Sequence, residues 1–187
     1  MKLSGAPRVV AVLSALLLVP CNAADPLSVT ISKSSIRING VELRSGPQGT
    51  GGKYISLAAT EKVLGKPQDF YIAGLGVRVY AWRDAGIHLQ RGFRGPDKGK
   101  IFQFQVWFAD TYDKDENKHS GKFSGPVQLD GLDITPDTTF DSVRGQLEKT
   151  AFEITSDQNV ITAKKEQITI FTVETTNKIQ RTEAWCD

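Results

Sequence analysis

Two separated stretches of this chain carry the same short pattern. Ile36–Leu43 reads IRINGVEL and Val127–Ile134 reads VQLDGLDI. Each alternates apolar and polar residues up to an Asn-Gly or Asp-Gly pair, then alternates again. That pair selects a two-residue hairpin turn, because both central residues must take positive φ and Asn, Asp and Gly do so at little cost. A chain that writes this signal twice is committed to antiparallel sheet near the start of each half.

The segments after the two hairpins also match. Ser56–Leu64 (SLAATEKVL) is a helical candidate closed by Gly65 and Pro67, a stop signal of the expected kind. Thr138–Lys149 (TTFDSVRGQLEK) is the second, opened by Pro136 and Thr138. Its Phe140, Val143 and Leu147 fall on one apolar stripe. Strands come next. VYAWRDAGIHLQ at 79–90 aligns with VITAKKEQITIF at 160–171, and IFQFQVWF at 101–108 with IQRTEAWC at 179–186, Ile and Trp coinciding in the last pair. The order implies an α+β fold of two tandem units, each a hairpin, a helix and an antiparallel meander of about three strands. Together they would form one curved antiparallel sheet with the helices on one face. The boundaries read as 24–108 for the first unit, 109–123 for a polar connecting loop and 124–187 for the second. The segments at 44–54, 91–100 and 109–123 have the Gly, Asp and Lys content of surface loops.

Alternation along the strands sorts side chains onto two faces. Phe102, Phe104, Val106 and Phe108 share one side of 101–108. Val77, Val79 and Ala81, and then Ile87 and Leu89, give apolar sides expected to pack on Leu57, Val63 and Leu64. The opposite face is then Arg78, Tyr80, Trp82, His88, Gln90, Gln103, Gln105 and Trp107, joined from the second unit by Arg181, Glu183 and Trp185. Trp, Tyr and Arg carry a disproportionate share of binding energy at protein interfaces. Aromatics also cover one another inside folds, and alternation alone leaves both roles open.

The first 23 residues contain Lys2 and Arg8, an apolar run from Val9 to Val19, and no acid. The run is too short to span a bilayer and has the form of an export signal. Leu18-Val19-Pro20-Cys21 resembles a lipidation box with Cys21 as the modified residue; Cys21-Asn22-Ala23 fits ordinary signal cleavage. Removal of the leader leaves 21 basic and 21 acidic side chains, so no net field would draw the chain to nucleic acid. Cys186 is then the one cysteine certain to remain, which excludes an internal disulfide framework.

The motifs of common chemistries are missing. His88 and His119 stand in unlike contexts, without the spacing of a metal site. No nucleophile elbow, HExxH helix or phosphate-cradling Gly loop occurs, and the Gly-rich SGPQGTGGKY opens no helix at the required spacing. The cluster Asp110, Asp113, Asp115 and Glu116, with Tyr112 among them, lacks the spacing and central Gly of a calcium loop, and Lys114 and Lys118 dilute its charge. A non-enzymatic protein with no cofactor is the expectation.

Asn39-Gly40, the helix end Leu64–Pro67 and the strand pair holding Trp82, Asp84, Gly86 and Ile87 resemble a family of bacterial envelope proteins over most of residues 30–185. That family includes periplasmic immunity proteins that neutralise type VI secretion effectors, phospholipases among them. The doubled unit is also similar to the tandem architecture of β-lactamase inhibitory proteins, which grip an enzyme with an aromatic sheet face, and of small outer-membrane assembly lipoproteins. The resemblance implies a periplasmic toxin inhibitor, soluble or lipid-anchored, acting by protein–protein contact. An envelope assembly or scaffold lipoprotein is the alternative, and it would need Cys21 lipidated. On the first reading the partner-binding residues are Tyr80, Trp82, Trp107 and Trp185 at the centre, with Arg78, His88, Gln103, Gln105, Arg181 and Glu183 around them. Phe93 and Arg94 flank that face. The acidic loop (Asp110, Tyr112, Asp113, Asp115, Glu116) would enter a basic cleft of the partner.

Overall fold

The computed structural model describes residues 26–45, 54–73, 77–92, 98–109, 111–112 and 118–186; at 45, 69–73, 111–112 and 118–120 the description is of the backbone. The chain begins with β1 (Val29–Ile31), β2 (Ile36–Ile38) and β3 (Val41–Glu42). Two short strands come after them, β4 (Arg44–Ser45) and β5 (Tyr54–Ile55). Helix α1 (Leu57–Leu64) leads to β6 (Asp69–Ala73), β7 (Val77–Trp82), β8 (Ile87–Gly92) and β9 (Ile101–Trp107), with a 3-10 turn at Arg83–Ala85 between β7 and β8. A small hairpin, β10 (Thr111–Tyr112) and β11 (Lys118–Ser120), precedes β12 (Val127–Leu129) and β13 (Leu132–Ile134). Helix α2 (Phe140–Lys149) then leads to β14 (Glu153–Asp157), β15 (Val160–Lys165), β16 (Ile168–Val173) and β17 (Ile179–Trp185). The architecture is α+β and mostly antiparallel sheet. No helix among the described residues is long and apolar enough to cross a membrane.

Both expected hairpins form, and for the expected reason. Asn39 and Gly40 have φ of 49° and 76°, Asp130 and Gly131 of 47° and 88°, positive at both central positions of each turn. Asn39 adds a local bond: its Oδ1 accepts from the Ser28 backbone N–H at 2.8 Å. The helices begin where a hydroxyl can satisfy a free backbone N–H. Ser56 Oγ accepts from Ala59 N at 3.2 Å and Thr139 Oγ1 from Ser142 N at 3.3 Å. The second helix is capped at Thr139 and starts at Phe140, two residues after the expected start at Thr138, because Thr138 Oγ1 accepts from Thr135 N at 2.9 Å and so closes the preceding turn.

Strand β1 joins the two hairpins. It pairs parallel with β12 and antiparallel with β2, giving a five-stranded sheet in the order β13-β12-β1-β2-β3. The chain approaches itself closely here: a Cβ on Gly125 would lie 1.7 Å from the Leu27 carbonyl oxygen. The larger sheet has ten strands. Its main path is β14-β15-β16-β17-β9-β8-β7-β6, and β5 touches β9 at Ile55 and Ile101. Each meander has four strands rather than three, because β6 and β14 extend them.

The register defines the faces without ambiguity. One row of cross-strand partners runs Trp82, Ile87, Val106, Thr182, Ile170, Ala163. This is the core face. Phe140, Val143 and Leu147 of α2 belong to the same apolar cluster, and Leu57, Val63 and Leu64 of α1 pack against it. The connection after β9 is only partly a surface loop: Phe123 is buried, and its N–H donates to the Trp107 carbonyl at 2.7 Å.

Candidate functional site

The second row across the large sheet runs Ala81, His88, Gln105, Glu183, Thr169, Lys164, on the face away from the helices. The rows beside it hold Trp107, Arg181, Phe171 and Thr162 on one side, and Gln90, Gln103 and Trp185 on the other. The structure therefore brings together His88, Gln103, Gln105, Trp107, Arg181, Glu183 and Trp185 from the sequence-based set.

Three expected members are not there. Arg78, Tyr80 and Trp82 stand opposite Arg91, Leu89 and Ile87, on the core face. Trp82 is 2 % exposed and its indole N–H donates to the Gly65 carbonyl at the end of α1, at 2.8 Å. Tyr80 is half-buried against the core, and its hydroxyl accepts from Arg91 Nη1 at 3.1 Å. The physical reason is that β7 is apolar on both sides. Val79 and Ala81 are buried beside Gln90 and His88, while Tyr80 packs against the core and Trp82 reaches the end of α1. Phe93, Arg94, Asp110, Asp113, Asp115, Glu116 and Cys21 lie outside the described residues; Tyr112 contributes its backbone to β10.

At the centre, where β9 meets β17, is a buried polar network. Glu183 is 3 % exposed. Gln105 Nε2 donates to its Oε1 at 2.9 Å and Gln103 Nε2 to its Oε2 at 2.8 Å. Arg181 Nε stands 2.6 Å from Oε1, within ion-pair distance but off the line of an N–H hydrogen bond. Trp107 Nε1 donates to Gln105 Oε1 at 3.2 Å. Burial pushes the Glu183 carboxyl above its ordinary range; the adjacent Arg181 charge and the N–H donors of Gln105 and Trp185 pull it the other way without cancelling the rise.

Arg181 is held by more than charge. Its guanidinium carbon is 4.7 Å from the Trp107 ring centre and 4.1 Å from that of Phe171. The register sets this sandwich, since Phe171, Arg181 and Trp107 are direct cross-strand partners on three adjacent strands. His88 packs on Trp107 from the other side, ring centres 5.8 Å apart. Beside the network opens a cavity of about 950 Å³, walled by Phe171 and Trp185, with Thr162, Thr169 and Lys164 along it and Lys33 at its rim. Trp185 is 40 % exposed, a large aromatic left in water beside that opening.

Sequence reasoning missed Phe171, Thr169, Thr162 and Lys164. The signal was present: ITIFTV alternates as clearly as IFQFQVW, and the same parity rule puts Thr169 and Phe171 opposite Ile168 and Ile170. Among the described residues, no group of three or more His, Cys, Asp or Glu side chains is placed to hold a metal. No protein-family model, curated protein or solved structure matches this chain.

Proposed function

We propose that this is an exported immunity protein that binds a toxic effector of type VI secretion, a phospholipase being one candidate, and blocks it by occupying a functional surface. It performs no chemistry of its own on this reading. The observation that carries the proposal is one sheet face that holds both an exposed Trp185 and a preorganised Arg181, with an open cavity walled by Phe171 and Trp185. Trp and Arg in one patch, with a rigid polar floor, are the composition of a binding hot spot. A sheet face serving only water has no need to fix an arginine between two rings.

We also read the fold as two copies of one unit. Each half has a hairpin, a capped helix and a four-stranded meander in the same order. Matching Ile101 to Ile179 and Trp107 to Trp185 makes Gln105 equivalent to Glu183, and these two residues face each other across β9 and β17. An antiparallel pair in which a residue meets its own equivalent lies on a pseudo-two-fold axis. The polar network would then sit on the seam between the copies, and the binding face would span both.

The test is inhibition of the type VI effectors delivered by sibling cells, assayed one by one. The purified mature protein should inhibit one of them stoichiometrically. Trp185→Ala, folded as judged by its melting curve, should bind about 30-fold more weakly, the equivalent of roughly 2 kcal/mol, mostly through faster dissociation. Unchanged affinity in a folded Trp185→Ala protein would sink this interface. Mass spectrometry of the mature N-terminus decides the anchor: a diacylglyceryl Cys21 gives a membrane-tethered protein, and a chain starting after Ala23 a soluble one.

A further inference from the structure

The guanidinium of Arg181 is only half used by the fold. Its Nε is enclosed and lies 2.6 Å from Glu183 Oε1, and the guanidinium sits between the rings of Trp107 and Phe171. Yet the side chain keeps 29 % of its surface. Since Nε has none, that exposure belongs to the rest of the chain, and among the described residues Nη1 and Nη2 donate no hydrogen bond. A guanidinium fixed in this way loses little freedom when a ligand arrives, so the usual entropy cost of ordering a long side chain is met by folding.

The surroundings narrow the ligand. Two parallel N–H groups on a planar fork match a carboxylate, which accepts both at once. Lys164 lies one row away across β15 and β16, exposed, and Thr162 directly partners Phe171. Lys33 completes the positive side of the opening, although Glu166 pairs with it at 2.9 Å. Phe171 and Trp185 are the aromatic part of the wall, and Glu166, Gln167 and Glu183 line it too. A phosphate group prefers several converging donors, commonly with backbone N–H groups or a helix N-terminus. Neither helix begins here, and the leader-free chain has no net charge to attract a polyanion.

We propose that the Arg181 fork, gripped between Trp107 and Phe171 and flanked by Lys164, is a receptor for a carboxylate side chain on an acidic surface segment of the partner protein. This rests on the partner-binding reading of the same face and gives the partner its chemistry. It also reverses the polarity expected from the acidic stretch at 110–116: at this site the present chain supplies the cation and the partner the anion.

The test uses the purified mature chain and a synthetic probe, acetyl-Gly-Glu-Glu-Phe-Gly-amide, in an NMR titration. The paired Gln peptide and inorganic phosphate serve as comparisons. The Glu peptide should shift the Trp107 and Trp185 indole signals and the Arg181 Nε signal saturably, and added salt should weaken it. The Gln peptide should bind at least tenfold more weakly, and phosphate should not reproduce the indole shifts. Arg181→Gln alone strands Glu183, so the informative variant is Arg181→Gln with Glu183→Gln, which removes both charges together. It should lose binding tenfold or more while keeping the wild-type amide spectrum elsewhere. Lys164→Gln, on an exposed side chain, should lose two- to threefold. Equal binding of the Glu and Gln peptides, or of the double variant and wild type, overturns the proposal, as does phosphate matching the peptide. A failed titration beside intact toxin inhibition would remove the carboxylate receptor and leave the immunity reading standing; intact titration beside absent inhibition would do the reverse.

Discussion

Replacing Trp82 by Ala should unfold this protein more readily, whereas replacing Trp185 should not. Trp82 is 2 % exposed, stands in a cross-strand row with Ile87 and Val106, and donates its indole N–H to Gly65. Truncating a buried Trp to Ala costs about 3–5 kcal/mol through lost transfer energy and a residual cavity. The Gly65 carbonyl loses a partner besides, worth about 1 kcal/mol. At roughly 2–4 °C per kcal/mol for a chain of this length, the melting temperature should fall by about 8–24 °C. Trp185 is 40 % exposed and, among the described residues, meets the ring of Phe102 at 5.8 Å, so its removal should cost about 1 kcal/mol or less and about 3 °C. Circular dichroism melts of both variants at one pH and salt measure this. Trp82→Phe, which keeps a ring and loses the donor, should fall between Trp82→Ala and wild type. A Trp82→Ala protein melting within about 3 °C of wild type would refute the register that places this side chain over α1.

Three further perturbations test local geometry. Ala151 ends α2 with φ of 62°, a left-handed position where a Cβ is costly, so Ala151→Gly should stabilise the fold by about 0.5–1 kcal/mol, read as a small rise in the denaturant midpoint. Gly125→Ala would drive a Cβ into the Leu27 carbonyl and push apart the segments that enter β1 and β12; it should cost about 3 kcal/mol or more, seen as poor soluble yield and a lowered melt. The pH profile should separate two carboxylates. Glu183 has a folded pKa above its unfolded one, so its contribution is complete below the ordinary carboxylate range and disappears as pH rises through the folded value. Glu42 is also raised by burial, but hydrogen bonds from Ser35, Arg44 N, Arg37 and Ile36 N outweigh that and lower it, so its contribution is present above the unfolded value and lost on acidification. Chemical unfolding across pH should show a shallower loss toward neutral pH in Glu183→Gln, and a shallower loss toward acid in Glu42→Gln.

The sequence was legible where one local signal decided the outcome. Asn39-Gly40 and Asp130-Gly131 allow one kind of turn, and Ser56 and Gly65 bracket a helix. The polar side of β9 was readable because Gln103 and Gln105 alternate with Phe104 and Val106. Reading failed where both phases of an alternation can be buried. In β7, Val79 and Ala81 looked like the core side, yet tertiary packing gave the helix face to Tyr80 and Trp82. Pattern also gave no notice of β1, whose parallel partner β12 lies far along the chain. Strand β14, EITSD, sits at a sheet edge with little apolar content to mark it. The sandwich around Arg181 needed the register of three strands, which no single stretch contains.

Survival of a deletion strain among its siblings bears most directly on the central claim. Cells lacking this chain should be killed by sibling cells that deliver type VI effectors. The wild-type chain should restore resistance, and folded Trp185→Ala expressed to the same level should restore it poorly. A deletion strain that stays fully resistant to every effector its siblings deliver would contradict the account.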